Sequence, residues 1–262
     1  MRQFIIFLFW IFPTALMAQQ QYRLTPPMIQ YPSIFFNQQV LVDLAFAFPN
    51  TSIHYTLNQK EPTIKDRVYR KPIPINQHLT TLKAKVFGPP FLPSETISAT
   101  FIQAGKTIKQ IQQSAAHPNY PGSGMETLID LKGGIPQLGS KTWLGYNTDT
   151  VSIRVTLAKA APIKALLANF FQNESAWIFL PETIIVHWFN QSTGQYELFG
   201  LLENKATETS FKNTCVYQIV QSARAVFTNQ LSIQLLVKKA MPDWHPSKGE
   251  HAWMFIDEIK VY

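Results

Sequence analysis

The chain has few of the residues that stabilise folds by covalent or ionic links. Cys215 is the only cysteine among 262 residues, so no intrachain disulfide can form. Its place in an alternating apolar segment favours a buried small side chain over a reactive thiol. Charged residues make up only 15% of the chain and hydrophobic residues 46%, which is typical of a globular protein and excludes a disordered one.

The apolar run at the N-terminus, residues 4–12, is too short to span a bilayer. Arg2 precedes it, and small residues up to Ala18 and three glutamines follow, which is the order of a secretory signal peptide. We therefore predict a signal peptide over residues 1–18, with a retained signal anchor as the alternative. After cleavage the chain would have no membrane span, and it would be secreted, periplasmic or bound to the surface of a bacterium.

The formal net charge is +7, but the basic residues are dispersed. The densest group, residues 60–71, also contains Glu61 and Asp66. A nucleic-acid surface needs a longer basic run with interleaved aromatic residues, so we predict no nucleic-acid partner. A solvated edge and a weak attraction to acidic polymers are the two interpretations that remain open.

Signatures of catalysis are missing as well. Glycoside hydrolysis needs two carboxylates facing one another across a pocket, and the acidic residues of this chain show no such pairing in their spacing. The chain has no Gly-x-Ser-x-Gly elbow, phosphate-binding loop or dinucleotide fingerprint. We predict that it is not an enzyme. Zinc is not predicted either, because four histidines lack the paired spacing of a zinc site: His117, His187, His245 and His251.

Two segments with strand-like alternation of apolar residues account for most of the chain. They cover residues 40–102 and 125–262, and the segment between them loses this period and becomes rich in Gln, Pro and Gly. We predict an all-β protein made of two β-sandwiches, with a linker over residues 104–124 that proteases cut first. A short helical turn over residues 108–114 is an alternative within that linker.

The first segment carries a specific motif. Residues 52–63 read Ser-Ile-His-Tyr-Thr-Leu-Asn-Gln-Lys-Glu-Pro-Thr, and residues 81–87 and 92–95 continue the pattern. This order resembles the C-terminal domains of chitobiases and hexosaminidases, also called fibronectin-III-associated domains. The resemblance implies an immunoglobulin-like spacer over residues 30–103. Asn58-Gln59 stands where that family has Asp-Gly, so we expect a longer or distorted turn there.

The second segment carries four motifs in order. They are Leu-Ile-Asp at residues 128–130, Trp-Leu-Gly-Tyr at 143–146, Asn-Glu-Ser-Ala-Trp-Ile-Phe-Leu-Pro at 173–181, and the closing stretch 242–262. These motifs resemble discoidin-like domains (coagulation factor 5/8 type C, galactose-binding-like), and the last resembles those that end secreted bacterial β-N-acetylhexosaminidases. The resemblance implies a jelly-roll sandwich over residues 125–262 that serves as a sugar-binding accessory module.

Aromatic residues beside polar ones on loops are the candidate binding site. We expect Trp244 to stack on a pyranose ring while Asp243 and His245 bond its hydroxyls, with Trp177 and Asn173 on a second loop. The alternative is that the Trp244 indole caps the core and the imidazole fixes its loop, while Trp177 is a bulky core residue at the start of a strand. The predicted function is non-catalytic recognition of galactose- or N-acetylhexosamine-containing glycans. A structural or protein-interaction module of a surface assembly, with a protein partner and no sugar, is the alternative.

The discoidin resemblance also implies a structural Ca²⁺, which those domains hold with an Asp of the opening motif and a Glu of the closing strand. The matching residues are Asp130 and Glu258, and Ca²⁺ takes six to eight oxygen ligands, so they would supply only part of its shell. Asp257 precedes Glu258 on an extended segment, so we expect the two carboxylates on opposite faces. In the alternative to a metal, Glu258 anchors loop amides.

Overall fold

The computed structural model describes residues 21–137, 139–204 and 211–262. The predicted signal peptide over residues 1–18 lies outside the described residues. Those residues form fifteen strands and two short 3-10 helices, which confirms the predicted all-β class. None of the helices in the described ranges is long and apolar enough to cross a membrane.

Eight strands form the N-terminal unit, and they lie in two sheets. One sheet has the order β1-β3-β6 and the other the order β2-β8-β7-β4-β5. The β2–β8 pair is parallel and the other pairs are antiparallel. The strands are β1 (Met28–Gln30), β2 (Phe35–Phe36), β3 (Val40–Ala45), β4 (Ser52–Thr56), β5 (Arg67–Val68), β6 (Ile73–Ile75), β7 (Thr80–Phe87) and β8 (Ile97–Gln103).

The core of the N-terminal unit lies between these two sheets. Every second residue of β3 and of β7 is buried, because alternate side chains of a strand point to opposite faces. The apolar residues of the two sheets meet in one cluster, and burying each large side chain contributes about 2 kcal/mol. This unit is the predicted small sandwich. Its central residues are Val40, Val42, Leu44, Ile73, Ile75, Leu82, Ala84 and Val86.

The turn after β4 has the backbone geometry that the sequence disfavours. Gln59 has a φ of 66°, in the left-handed region that glycine adopts without strain. The Asn58 side chain accepts a hydrogen bond from the Lys60 amide at 3.2 Å, and the Thr56 hydroxyl donates one to the Lys60 carbonyl at 2.6 Å. Side-chain hydrogen bonds therefore hold the turn where the resembling family has Asp-Gly.

The C-terminal unit consists of seven strands in one sheet. Its order is β10-β15-β11-β14-β12-β13, and β9 pairs with β11. Two 3-10 helices, Gly124–Leu128 and Glu174–Ala176, lie in its loops. The strands are β9 (Ile108–Gln113), β10 (Leu144–Tyr146), β11 (Thr150–Asn173), β12 (Thr183–Asn190), β13 (Gln195–Glu203), β14 (Asn213–Leu236) and β15 (Met254–Val261).

β9 lies inside the segment that we predicted as the linker 104–124. It pairs with β11 over residues 153–157, so residues 108–113 are neither a linker nor a helical turn. Only Ile111 of the six residues is fully buried, which is why the sequence showed no strand period. Because its backbone is bonded in a sheet, we expect this stretch to resist the proteolysis that a linker would suffer.

The two longest strands, β11 and β14, fold this sheet into two layers. Residues 153–157 of β11 pair with β9, whereas residues 166–171 pair with β15, and a register shift between Thr156 and Ala161 separates the halves. Bulges of this kind bend a strand sharply. Residues from both halves of the sheet share one core, which is the packing of the predicted jelly-roll sandwich.

The second half of β11 is buried on both faces. Residues 166–172 show no exposed position, so one face packs into the core and the other must be covered. Leu167 packs against Phe35 and Ile102 of the N-terminal unit, while Phe171 packs against Trp143. The two units are therefore in direct contact along this outer face.

Candidate functional site

Three loop segments meet at one end of the C-terminal sandwich, around the carboxylate of Glu174. This side chain is 2% exposed, and it accepts a hydrogen bond from the amide nitrogen of Lys212 at 2.6 Å and another from the Gln172 side chain. Its backbone carbonyl is 2.8 Å from Nε2 of His245. Glu174 thus joins the loop after β11, the segment before β14 and the loop after β14. Sequence reasoning missed this role, because Lys212 and His245 are distant from Glu174 in the chain.

His245 holds its loop in place through both ring nitrogens. Nδ1 accepts a hydrogen bond from the Ser247 amide at 3.0 Å, so Nε2 carries the proton and donates to the Glu174 carbonyl. The residue is 4% exposed. No ring nitrogen is left for a sugar hydroxyl, so His245 positions the loop, as the alternative interpretation of the sequence had it.

Trp244 is half-buried and has two environments. On the inner side it packs against the cluster of Phe179 and Met241. On the outer side the Phe211 ring stands perpendicular to it, with centroids 5.6 Å apart at 85°, and Phe211 is 57% exposed. The Trp244 indole N–H is buried and has no hydrogen-bond partner among the described residues. The two rings form an open aromatic corner at the surface.

Trp177 lies on the neighbouring loop and is 40% exposed. It follows the helix Glu174–Ala176 with a φ of 65°, a left-handed conformation that costs a non-glycine residue about 1 kcal/mol. Its amide donates to the Glu174 carbonyl at 2.9 Å, and its carbonyl accepts from the Trp253 amide at 2.8 Å. The backbone is therefore held on both sides while the indole is displayed. We refer to Trp177, Phe211 and Trp244 as the aromatic loop site.

The two remaining predicted binding residues, Asn173 and Asp243, lie in different parts of the site. Asn173 caps the short helix, because its side-chain oxygen accepts the Ala176 amide at 3.2 Å, so it supports the loop from beneath. Asp243 lies beside the aromatic loop site with an exposed carboxylate, 2.9 Å from Nζ of Lys248. An exposed ion pair of this kind contributes little to stability, which leaves the carboxylate available at the rim.

This arrangement offers a ligand aromatic faces beside a polar rim. Such a surface suits a flat amphipathic molecule. Cavities of about 430 and 760 Å³ lie in the N-terminal unit, beside Arg67 and Tyr69 respectively.

Asp257 and Glu258, which we expected on opposite faces of β15, lie on the same outer face. The register places Ile256 opposite Phe170 and Glu258 opposite Asn169, so Asp257 is the extra residue of a bulge. The Asn169 side chain donates to Asp257 at 2.7 Å. The expectation of opposite faces is wrong because a bulge breaks the period of two.

Burial dominates the ionisation of both carboxyl groups. It raises the pKa of Asp257 well above the ordinary value, while the hydrogen bond from Asn169 opposes that rise. Burial also raises the pKa of Glu258, and the Lys260 ammonium, which is bonded to it, opposes the rise. The Asp130 charge raises the pKa of both groups, so the loop that carries Asp130 lies against this face.

The residues near Asp130 and Glu258 do not fit the shell of a calcium ion. Asp130 accepts the Lys132 amide at 2.9 Å, and Glu258 is bonded to the ammonium of Lys260. Six to eight oxygen ligands would be needed. Within the described ranges no three side chains of His, Cys, Asp or Glu form a group that could hold a metal.

A comparison with known protein families gives a match in the N-terminal unit. Residues 42–101 match the family described as Fn3-associated. This match lies within the span of the fibronectin-III-associated resemblance and over β3 to β8. A comparison with curated proteins gave no match.

Solved structures resemble this chain at low sequence identity. The family 32 carbohydrate-binding module of Streptococcus pneumoniae EndoD aligns at 10% identity and a TM-score of 0.39, covering 61% of this chain and 96% of that one. A Ruminococcus gnavus GH29 fucosidase in complex with fucose aligns at 12% identity and a TM-score of 0.38, covering 58% of this chain. The alignment covers 25% of the fucosidase chain.

Proposed function

We propose that the chain is a secreted, non-catalytic carbohydrate-binding protein that holds a glycan at the aromatic loop site. The observation that carries the proposal is the perpendicular pair of Trp244 and exposed Phe211, on two segments that Glu174 ties together through its buried carboxylate and its backbone carbonyl. A pyranose has an apolar face of C–H groups and an edge of hydroxyls. The Trp244 corner offers the apolar surface, and Asp243 at the rim offers a hydrogen-bond acceptor.

The proposed ligand is a galactose- or N-acetylhexosamine-containing glycan, as the discoidin resemblance of these loops implies. The Fn3-associated unit would act as a spacer, and the signal peptide would place the protein outside the cytoplasm. Little area is buried at an open site, so the dissociation constant should be on the order of millimolar to tens of micromolar.

A calorimetric titration with N-acetylgalactosamine and galactose tests the site. Trp244→Ala is expected to weaken binding at least tenfold, equivalent to about 1.4 kcal/mol, because it removes the stacking face. Trp177→Ala should weaken binding by a smaller factor. Phe227→Ala is the matched control, because Phe227 is 61% exposed on β14 and belongs to no part of the aromatic loop site.

Two results would contradict the proposal. If Trp244→Ala folds and binds the sugar as the parent does, the aromatic loop site is not the binding site. If a glycan array is silent for the parent protein and one protein co-purifies with it, the interaction-module alternative replaces the proposal.

A further inference from the structure

The outer face of β15 carries a buried group of ionisable side chains. Asp257 is 2% exposed, Glu258 0% and Lys260 5%. An isolated buried charge costs several kcal/mol, so the charges of Glu258 and Lys260 each need a partner. Lys260 is bonded through Nζ to the Glu258 carboxylate, and the Asn169 amide donates to Asp257 at 2.7 Å.

The N-terminal unit covers this group from the other side. The Nζ of Lys260 lies 5.5 Å from the centroid of the Phe35 ring, within the range of a cation–π contact. The Ser33 hydroxyl is 2.7 Å from the carbonyl oxygen of Leu131 and 3.0 Å from that of Lys132. The backbone oxygens of the loop after Asp130 therefore already face a donor from the N-terminal unit.

We propose that the Lys260 ammonium is the resident cation of this junction, taking the position at Glu258 that a divalent ion would need. A calcium ion bound to Glu258 would meet that ammonium at close range, and like charges in a buried site repel strongly. The ion would also have to displace Ser33 from the loop carbonyls. The contact between the two units is therefore independent of metal, which departs from what the discoidin resemblance implies.

The direct test is thermal unfolding of the full chain in excess EDTA and in excess calcium chloride. We expect the same melting temperature in both, because anything that binds the folded state alone would raise it. A higher melting temperature in calcium than in EDTA overturns the proposal. This measurement needs no variant, so it decides the question even if the substitutions below prevent folding.

Substitutions then test whether the ammonium is the stabilising cation. Lys260→Met leaves Glu258 buried without its partner and should lower the melting temperature by roughly 10 °C. Adding Glu258→Gln removes the orphaned charge and should restore part of the loss. The control is Lys132→Met, since Lys132 is an exposed lysine 3.7 Å from Asp130, and no shift is expected.

Two results of these substitutions would contradict the proposal. One is a melting temperature of Lys260→Met equal to that of the parent. The other is a double variant whose melting temperature falls by the sum of the falls in the two single variants. Groups that stabilise one another show coupling in a double-mutant cycle, so their effects should not add.

Discussion

Replacing Glu174 by alanine is expected to lower the free energy of unfolding by about 3 kcal/mol and to weaken glycan binding. The carboxylate is buried, and it accepts hydrogen bonds from the Gln172 side chain and the Lys212 amide, both of which would be left without a partner. The segment that carries Phe211 would lose its anchor, so the perpendicular ring beside Trp244 would no longer be held. Chemical denaturation and calorimetry measure the two effects.

A matched control for this substitution is Glu182→Ala. The Glu182 side chain is 43% exposed and pairs with Lys238 at 3.0 Å, so its removal should change the unfolding free energy by less than about 1 kcal/mol. Sugar binding should remain. A Glu174→Ala variant that keeps the stability and the binding of the parent would show that the segment before β14 is held by something other than this carboxylate.

Replacing Gly134 by alanine should be comparably damaging, at about 3 kcal/mol. A Cβ at this position would lie 2.1 Å from the Trp143 ring. That ring cannot move aside, because it stacks on Phe171 with centroids 5.4 Å apart and its indole N–H donates to the Ile135 carbonyl at 2.7 Å. The alanine must therefore push the loop that carries Gly134 away from the outer face of β11. Thermal or chemical unfolding measures the loss.

A second-site change checks the cause of that loss. Trp143→Phe removes the ring atoms nearest to Gly134, so the double variant should be less damaged by the added methyl than the parent background is. If Gly134→Ala costs the same in both backgrounds, the close approach of the glycine to the indole is not the reason for its effect.

The alternation of apolar residues predicted much of the fold. In β3 and β7 every second residue is buried, and the all-β class follows from such runs alone. The motif over residues 52–63 predicted where the N-terminal unit lies in the chain, and the Fn3-associated match supports this prediction. These features could be predicted because they depend on neighbours in the chain.

Features that depend on distant contacts could not be predicted. β9 buries one residue of six fully, so its sequence looks like a linker until β11 is beside it. The bulge at Asp257 forms because Ile256 pairs with Phe170 and Glu258 with Asn169, and it turns both carboxylates to one face. The positioning role of His245 needs the Glu174 carbonyl, 71 residues away. No local pattern in the sequence predicts any of these contacts.

The central claim, that a glycan binds at the aromatic loop site, is tested most directly by the indole N–H signals in a nitrogen-15 NMR titration with N-acetylgalactosamine. We expect the signals of Trp177 and Trp244 to move with increasing sugar. The signal of Trp143 should stay, because its N–H is bonded to Ile135 within a buried cluster. Saturable shifts at Trp143 with none at Trp177 or Trp244 would contradict the claim.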